Sequence, residues 1–527
     1  MNRTPIEGAD VCVVGAGPAG TIVADRLAAA GHDVVVLDAG PRFDPADRTR
    51  RQERAIRPSF SRPDVWDGDP ERDAYTSSGE KGYPLNHARV KGVGGSTLHW
   101  QGMVMRLHED DFNSRSERGV GVDWPIEYAD LKPYYAEAER ELGVSGASDN
   151  PFAPPRDEPH PMAAFPPSYS DSLFADACEE LEISMHSVPN ARNSESRNGR
   201  SACVGYGTCQ PVCPSGAKYD ATVHAEAAER RGAAVIDRAP VQRLEHGPES
   251  VEAAVYATPD GETHRQPADA FVVACGGVET PRLLLLSESE HYPDGLANSS
   301  GLVGKCFMDH LFAGMGGVLD EPTRQNHVGF LTSESHQFYD DADETVGPFK
   351  LEFFNYAGPS PVEMAMTGED WGDALLERLR DGYGNHVGMG ALVEQLPSED
   401  NYVALDESRT DDHGNPVPEI HWSLDERTRR TLERANEIQR SILEELGADI
   451  GWQVGPEDTG PAYHHMGTTR MGTDPTESVV DPCLRTHDLD NCWLVGSSVF
   501  PTGGAMNPTL TIAALALRAA EGIESSL

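Results

Sequence analysis

Four groups of residues in this chain have types and spacings that could do chemistry. Near the N-terminus, Gly15, Gly17 and Gly20 punctuate the run Val11-Cys12-Val13-Val14-Gly15-Ala16-Gly17-Pro18-Ala19-Gly20. Gly15 permits a tight turn, Gly17 lets backbone approach a pyrophosphate, and Gly20 lets a helix pack closely on a strand. Phosphate there would meet unpaired N–H groups and the positive end of a helix. Asp38 closes the next apolar run about twenty residues on, where a ribose hydroxyl needs an acceptor. Together they predict a dinucleotide cradle, without saying which dinucleotide.

The second group is Cys203, Cys209 and Cys213 in one short loop, followed by Pro214. Three thiolates from a single loop can hold a soft metal centre. A zinc site would want a fourth ligand, and Cys178, Cys275 and Cys306 lie far off in sequence. A buried thiol cluster, or one disulfide and a spare thiol, would use the same residues. The third group is the stretch Val90 to Gly102, where Gly92, Gly94, Gly95 and Gly102 let backbone lie flat against a planar group. The fourth is the pair His464-His465, titrating near neutrality, with Asn507-Pro508, which also suits the start of a helix.

The elements that must position these groups follow from periodicity. Residues 11–14 and 33–38 read as strands around a helix from Thr21 to Ala30 that Gly31 stops. Ala270 to Gly277 is another apolar strand ending in glycines, with a helix from Thr280 to Ser287, so the sheet is buried and parallel. Residues 41–82 read as a surface excursion, and residues 194–218 as a loop carrying the cysteines. From 312 to 457 the pattern changes to short alternating strands with a helix from Asp425 to Leu446, which predicts a second domain on a largely antiparallel sheet. Trp493 to Gly496 and Thr509 to Ser525 return to strand and helix.

Composition narrows the setting. The 527 residues carry 86 acidic against 43 basic side chains, a formal net charge of -43. Lysine occurs only at positions 81, 91, 132, 218, 305 and 350. An acidic, lysine-poor chain suits multimolar salt, where a short Debye length screens self-repulsion, so a halophilic cytoplasm is expected. The acids are spread along the chain, against a patch for one basic partner. No basic stripe offers itself to nucleic acid. No apolar run approaches the roughly 20 residues that span a bilayer, and Met1 to Pro5 leads almost directly into the first strand, leaving no room for a signal peptide. The 9 cysteines are an odd number, which points to free thiols or metal ligands.

Several stretches resemble the glucose-methanol-choline flavoprotein oxidoreductases, in that family's order: the first cradle, Gly92 to Trp100, Gly276 to Leu284, Gly301 to His310, His464 to Gly472, and Val495 to Thr511. The resemblance implies an α/β fold, with a discontinuous Rossmann-like FAD domain at 1–311 and 458–527. Residues 312–457 would be a substrate-binding cap. FAD contacts would fall at Gly15, Gly17, Gly20, Asp38, Gly94, Gly95, Ser96, His99, Gly496, Ser497, Asn507, Pro508 and Thr509. His464, separated by two residues from the pair Gly467-Thr468, matches the family's catalytic base, and Asn507 stands where members carry histidine or asparagine as partner. His99 matches the position at which some members tether FAD covalently; its other reading is packing near the flavin ring.

The cysteine loop resembles that of FAD-dependent sugar and gluconate dehydrogenase catalytic subunits, which implies a three-iron, four-sulfur cluster on Cys203, Cys209 and Cys213. The expected function is therefore FAD-dependent oxidation of a CH–OH group on a sugar, sugar acid or polyol. Hydride would pass to flavin N5 and electrons would leave through the cluster. An oxidase using oxygen, or an FAD-carrying electron-transfer subunit without turnover, are the alternatives. The resemblance also implies a small chaperone-like subunit and a cytochrome or other acceptor, with peripheral membrane attachment or export on a partner left open.

Overall fold

The computed structural model describes residues 3–56, 65–323, 329–340, 342–355 and 357–527. Two sheets face one another across the site. The first is five-stranded and wholly parallel, in the order Cys492–Leu494, Ala270–Val273, Val11–Val14, Val34–Leu37, Ala234–Ile236. Its central strands are continuous apolar runs because helices and a three-stranded antiparallel sheet cover both faces.

Helix Pro18–Ala30 begins with proline at its first position and ends at Gly31 (φ 99°), whose N–H returns to Ala28. It packs between helices Thr509–Glu524 and Thr222–Arg230. The helix expected from Thr280 starts at Gly276 and runs to Leu286.

The second sheet is six-stranded and antiparallel: Asp449–Val454, Leu311–Val318, His386–Val393, Phe349–Phe354, Leu331–Ser335, His186–Ser187. Side chains alternate across it. Leu311, Ala313, Met315, Phe349, Leu351 and Phe353 form one core with Leu432, Ala435, Ile442 and Leu443 of helix Glu426–Glu445. That helix presents apolar residues three to four positions apart, and Asp425 caps it by accepting the Thr428 N–H at 2.8 Å. Phe312, Glu352 and Leu392 take the opposite face, toward the first sheet.

Two segments depart from the expected layout. Part of 41–82 is not surface: Phe43, Val65 and Trp66 are buried with Leu98 and Val212, and Thr76–Ser78 pairs in parallel with Pro416–His421. Proline and arginine density hid these contacts, because Arg51 is itself buried against the Phe43 and Trp66 rings. Residues 57–64 of that stretch lie outside the described residues. His186–Ser187, far upstream of 312, forms the sheet's edge.

At Gly20 an added Cβ would stand 2.0 Å from the Gly15 carbonyl oxygen and 3.1 Å from Val13. Gly20→Ala is expected to cost about 1–3 kcal/mol of stability through overpacking. It should also lower FAD retention, read by thermal unfolding and flavin release; unchanged values would contradict the packing.

Candidate active site

Between the two sheets lies a cavity of ≈ 660 Å³. Gly15, Gly17 and Asp38 line one end, and His464 and Asn507 belong to the same wall system. Three helices, Pro18–Ala30, Gly276–Leu286 and Thr509–Glu524, aim their N-termini into it. Gly17, Cys275 and Pro508 at their starts line the cavity, and none supplies a side-chain cap. Their leading N–H groups and partial positive charge are thus available to an anionic ligand.

Asp38 accepts the Ala16 and Gly40 N–H groups at 2.8 and 2.9 Å, so its carboxylate braces the glycine turn as well as facing the cavity. Burial raises its pKa despite these bonds. An added Cβ on Gly95 would meet Gly17 Cα at 3.0 Å, so the two glycine loops touch backbone to backbone. Ser96, His99, Gly496, Ser497 and Thr509 also line the cavity, whereas Gly20 and Gly94 sit behind it in packing roles. His99 is buried there, where either of its two readings requires it.

His464 is positioned by a residue that sequence reasoning did not single out. His310 Nε2 lies 2.8 Å from the Gly504 carbonyl, so it must donate, and the neutral ring then accepts on Nδ1. His464 Nδ1 is 2.8 Å away and is the donor. The lone pair of His464 is therefore on Nε2, where the Asn507 amide nitrogen stands at 3.5 Å.

Both rings are neutral near pH 7. Burial, helped by the charge of Lys350, outweighs the opposing Gly504 and Gly503 contacts and leaves the His310 pKa at about 4. His464 is held well below its ordinary value by desolvation first, then by His310, Lys350 and His465. Asn507 Oδ1 is buried with no hydrogen-bond partner among the described residues. It is a polar group left for a ligand.

Asp309 fixes the same loop by accepting the His464 N–H at 2.7 Å and the Tyr83 hydroxyl. Burial pushes its pKa up to about 7. His465 turns away to pack on Tyr83 and Phe307, with burial lowering its pKa to about 3. Met308-Asp309-His310 lay inside a stretch read only for its resemblance; a histidine next to a buried acid was the signal to follow.

Opposite this pair, the antiparallel sheet turns charged residues inward. Lys350 Nζ contacts Glu352 at 2.7 Å and Glu334 at 3.1 Å, and Lys350 and Glu334 are wholly buried. Burial would lower the Lys350 pKa, but the two carboxylates outweigh it and the ammonium stays charged. Polar residues alternating with Phe349, Leu351 and Phe353 were the overlooked sign.

The cysteine loop abuts the cavity. Lys218 Nζ donates to the carbonyls of Cys209 (2.8 Å), Leu98 (3.3 Å) and Trp100, and the Gln101 amide donates to Gln210 at 3.1 Å. All nine cysteines are free. Burial raises the Cys203 pKa, and nearby Cys209 and Cys213 add to it. Burial would raise Cys213 as well, but the Lys218 N–H at 3.5 Å, Ser215 and the Lys218 charge hold it below the ordinary thiol value.

Comparison with known proteins adds a family to this geometry. The N-terminal GMC oxidoreductase family model matches residues 13–312 and the C-terminal one residues 397–516. The chain belongs to the GMC oxidoreductase family. GMC members bind FAD and act on CH–OH donors, and the cradle, the helix N-termini and the orphaned Asn507 oxygen fit that cofactor.

Over 98% of both chains, this GMC protein is 34% identical to the fructose dehydrogenase large subunit of Gluconobacter japonicus. It is 32% identical to the 2-methyl-1,2-propanediol dehydrogenase of Mycolicibacterium austroafricanum, over 99% of this chain and 96% of that one. Among solved structures, pyridoxine 4-oxidase from Mesorbium loti superposes with a TM-score of 0.69 at 19% identity, covering 98% of this chain and 99% of that one. Among the described residues no helix is long and apolar enough to cross a membrane.

Proposed function

We propose that this GMC oxidoreductase is a dehydrogenase of a sugar, sugar acid or polyol, with His464 as its catalytic base. The observation that carries the reading is the hydrogen-bond relay from the Gly504 carbonyl through His310 to His464, which leaves an unprotonated Nε2 facing the cavity. Bound FAD supplies the hydride acceptor. Oxidising a CH–OH group also releases the hydroxyl proton, and His464 Nε2 accepts it. The Asn507 amide, 3.5 Å from that nitrogen, donates to the substrate oxygen and holds it in place. Gly17, Asp38, Gly95 and the N-terminus of helix Thr509–Glu524 would hold FAD. Glu352, on the cavity wall, gives the acceptor that a further hydroxyl of a polyhydroxy substrate needs.

The dehydrogenase assignment leans on the names of the two curated relatives and on the cysteine loop. Cys203, Cys209 and Cys213 would hold a three-iron, four-sulfur cluster, with Lys218 and Arg192 beside the sulfurs to balance its charge. The tie of this loop to Leu98, Trp100 and Gln101 gives electrons a short path from the cavity to the surface beside exposed Val204 and Tyr206. A partner subunit or cytochrome is the acceptor in this reading, and the -43 charge supports a high-salt cytoplasm as its setting.

His464→Gln should keep FAD yet slow anaerobic flavin bleaching by substrate roughly 10²–10⁴-fold; unaltered bleaching would remove His464 as base. Purified protein should contain iron and acid-labile sulfide, with a paramagnetic signal when oxidised that Cys209→Ser abolishes. Absence of all three, with hydrogen peroxide formed in air, would make the protein an oxidase with a structural cysteine loop.

A further inference from the structure

A second constellation lies at the far edge of the antiparallel sheet, away from the reacting end of the cavity. His186 pairs directly across from Glu334, and His336 follows Glu334 by two residues, so register and alternation put all three side chains on one face. One ligating atom from each lies within 4.8 Å of the other two, and this is the one such set of three donors found among the described residues. All three residues are buried, at 4%, 0% and 2% exposure.

Their polar atoms are poorly accounted for by the protein. His186 Nε2, His336 Nε2 and Glu334 Oε1 have no hydrogen-bond partner among the described residues, although the last two approach to 3.0 Å out of hydrogen-bond alignment. A fourth orphan, His108 Nε2, belongs to a ring whose centroid is 5.6 Å from that of His336. His336 Nε2 and Glu334 Oε1 thus have each other, while His186 Nε2 and His108 Nε2 are left unsatisfied in a dry place, which is costly unless something binds them.

Glu334 and Glu352 face one ammonium, Lys350, on the same side of the sheet. His186 is already arranged as a ligand: its Nδ1 is 3.2 Å from the Ser187 carbonyl and donates to it, which puts the lone pair on Nε2. His336 Nδ1 lies 3.1 Å from the Asn150 amide nitrogen. The Asn150 oxygen accepts the Phe152 N–H at 2.9 Å, so the amide nitrogen faces His336 and that ring's proton sits on Nε2, the position a bound ion would take over.

We propose that His186, Glu334 and His336 form a site for a divalent transition-metal ion, zinc foremost. Imidazole nitrogens with one carboxylate suit zinc, and three protein ligands leave a fourth position for water. Bonds of about 2.0–2.2 Å need ligand atoms somewhat nearer than 4.8 Å, a small inward movement of side chains. Such an ion fastens the short edge strand His186–Ser187 to the strand Leu331–Ser335 and to His336 just beyond it. His108 stacks on Tyr339 with centroids 4.0 Å apart, and the Tyr339 hydroxyl accepts the Ala505 N–H at 2.8 Å.

The test uses FAD-loaded protein treated with chelator, desalted and titrated with Zn²⁺, with binding followed calorimetrically and by thermal unfolding. The wild type should bind one equivalent per chain and unfold at a higher temperature with zinc. His186→Gln, at the two-residue edge strand, should weaken binding by more than the roughly tenfold that loss of an outer-shell partner costs. It should also lose the thermal response while keeping its flavin spectrum. The surface variant His291→Gln should behave as wild type. Absence of stoichiometric zinc binding by the wild type, or equal binding by His186→Gln, overturns the proposal; the first outcome makes the cluster a hydrogen-bonded histidine–glutamate group.

Discussion

The contact between two imidazoles, His310 and His464, governs what this site can do. A neutral histidine offers one donor and one acceptor, and which nitrogen carries the proton is decided by its neighbours. Here the decision starts at a backbone carbonyl, Gly504, which can only accept. From it the proton positions follow through His310 to His464, and the free lone pair is delivered to the cavity. Desolvation and the charge of Lys350 keep both rings neutral, so the relay does not depend on a charged partner.

That arrangement places demands on distant parts of the chain. Gly504 must hold its carbonyl toward His310, and its neighbour Ala505 is tied to the Tyr339 hydroxyl, which in turn donates to Asp111 at 2.8 Å. The inward face of the antiparallel sheet carries the charged group Glu334, Lys350 and Glu352 opposite the histidines. Of the six lysines, Lys218 and Lys350 are buried and Lys91 lines the cavity. A chain with so few lysines keeps half of them where an ammonium meets several acceptors: the cysteine loop, the charged sheet face and the cavity wall.

Much of the fold could be read from local pattern. Apolar runs beside glycines gave the parallel strands, and alternation between 312 and 457 gave the antiparallel sheet, because each of these signals is written in consecutive residues. The glycine turn and Asp38 are likewise written in neighbouring residues, whereas His464 and Asn507 were singled out by family resemblance; Gly15, Gly17, Asp38, His464 and Asn507 line one cavity. What escaped were partners separated by hundreds of residues: His310 with His464, His186 with Glu334, and Thr76–Ser78 with Pro416–His421. Sheet register and loop closure create those pairs, and no local spacing encodes them. The apparent surface passage near Trp66 was misread because a buried arginine among aromatic rings looks polar in sequence.

The most direct test of the relay is the pH dependence of anaerobic flavin reduction by a sugar or polyol substrate. In the proposed reaction only unprotonated His464 can take the proton, and its pKa is held below that of a free histidine, near 6.5. The rate should therefore stay level as pH falls from 8 through about 6.5, and decline only well below it. A decline already centred near pH 6.5 or above in the wild type would contradict the account.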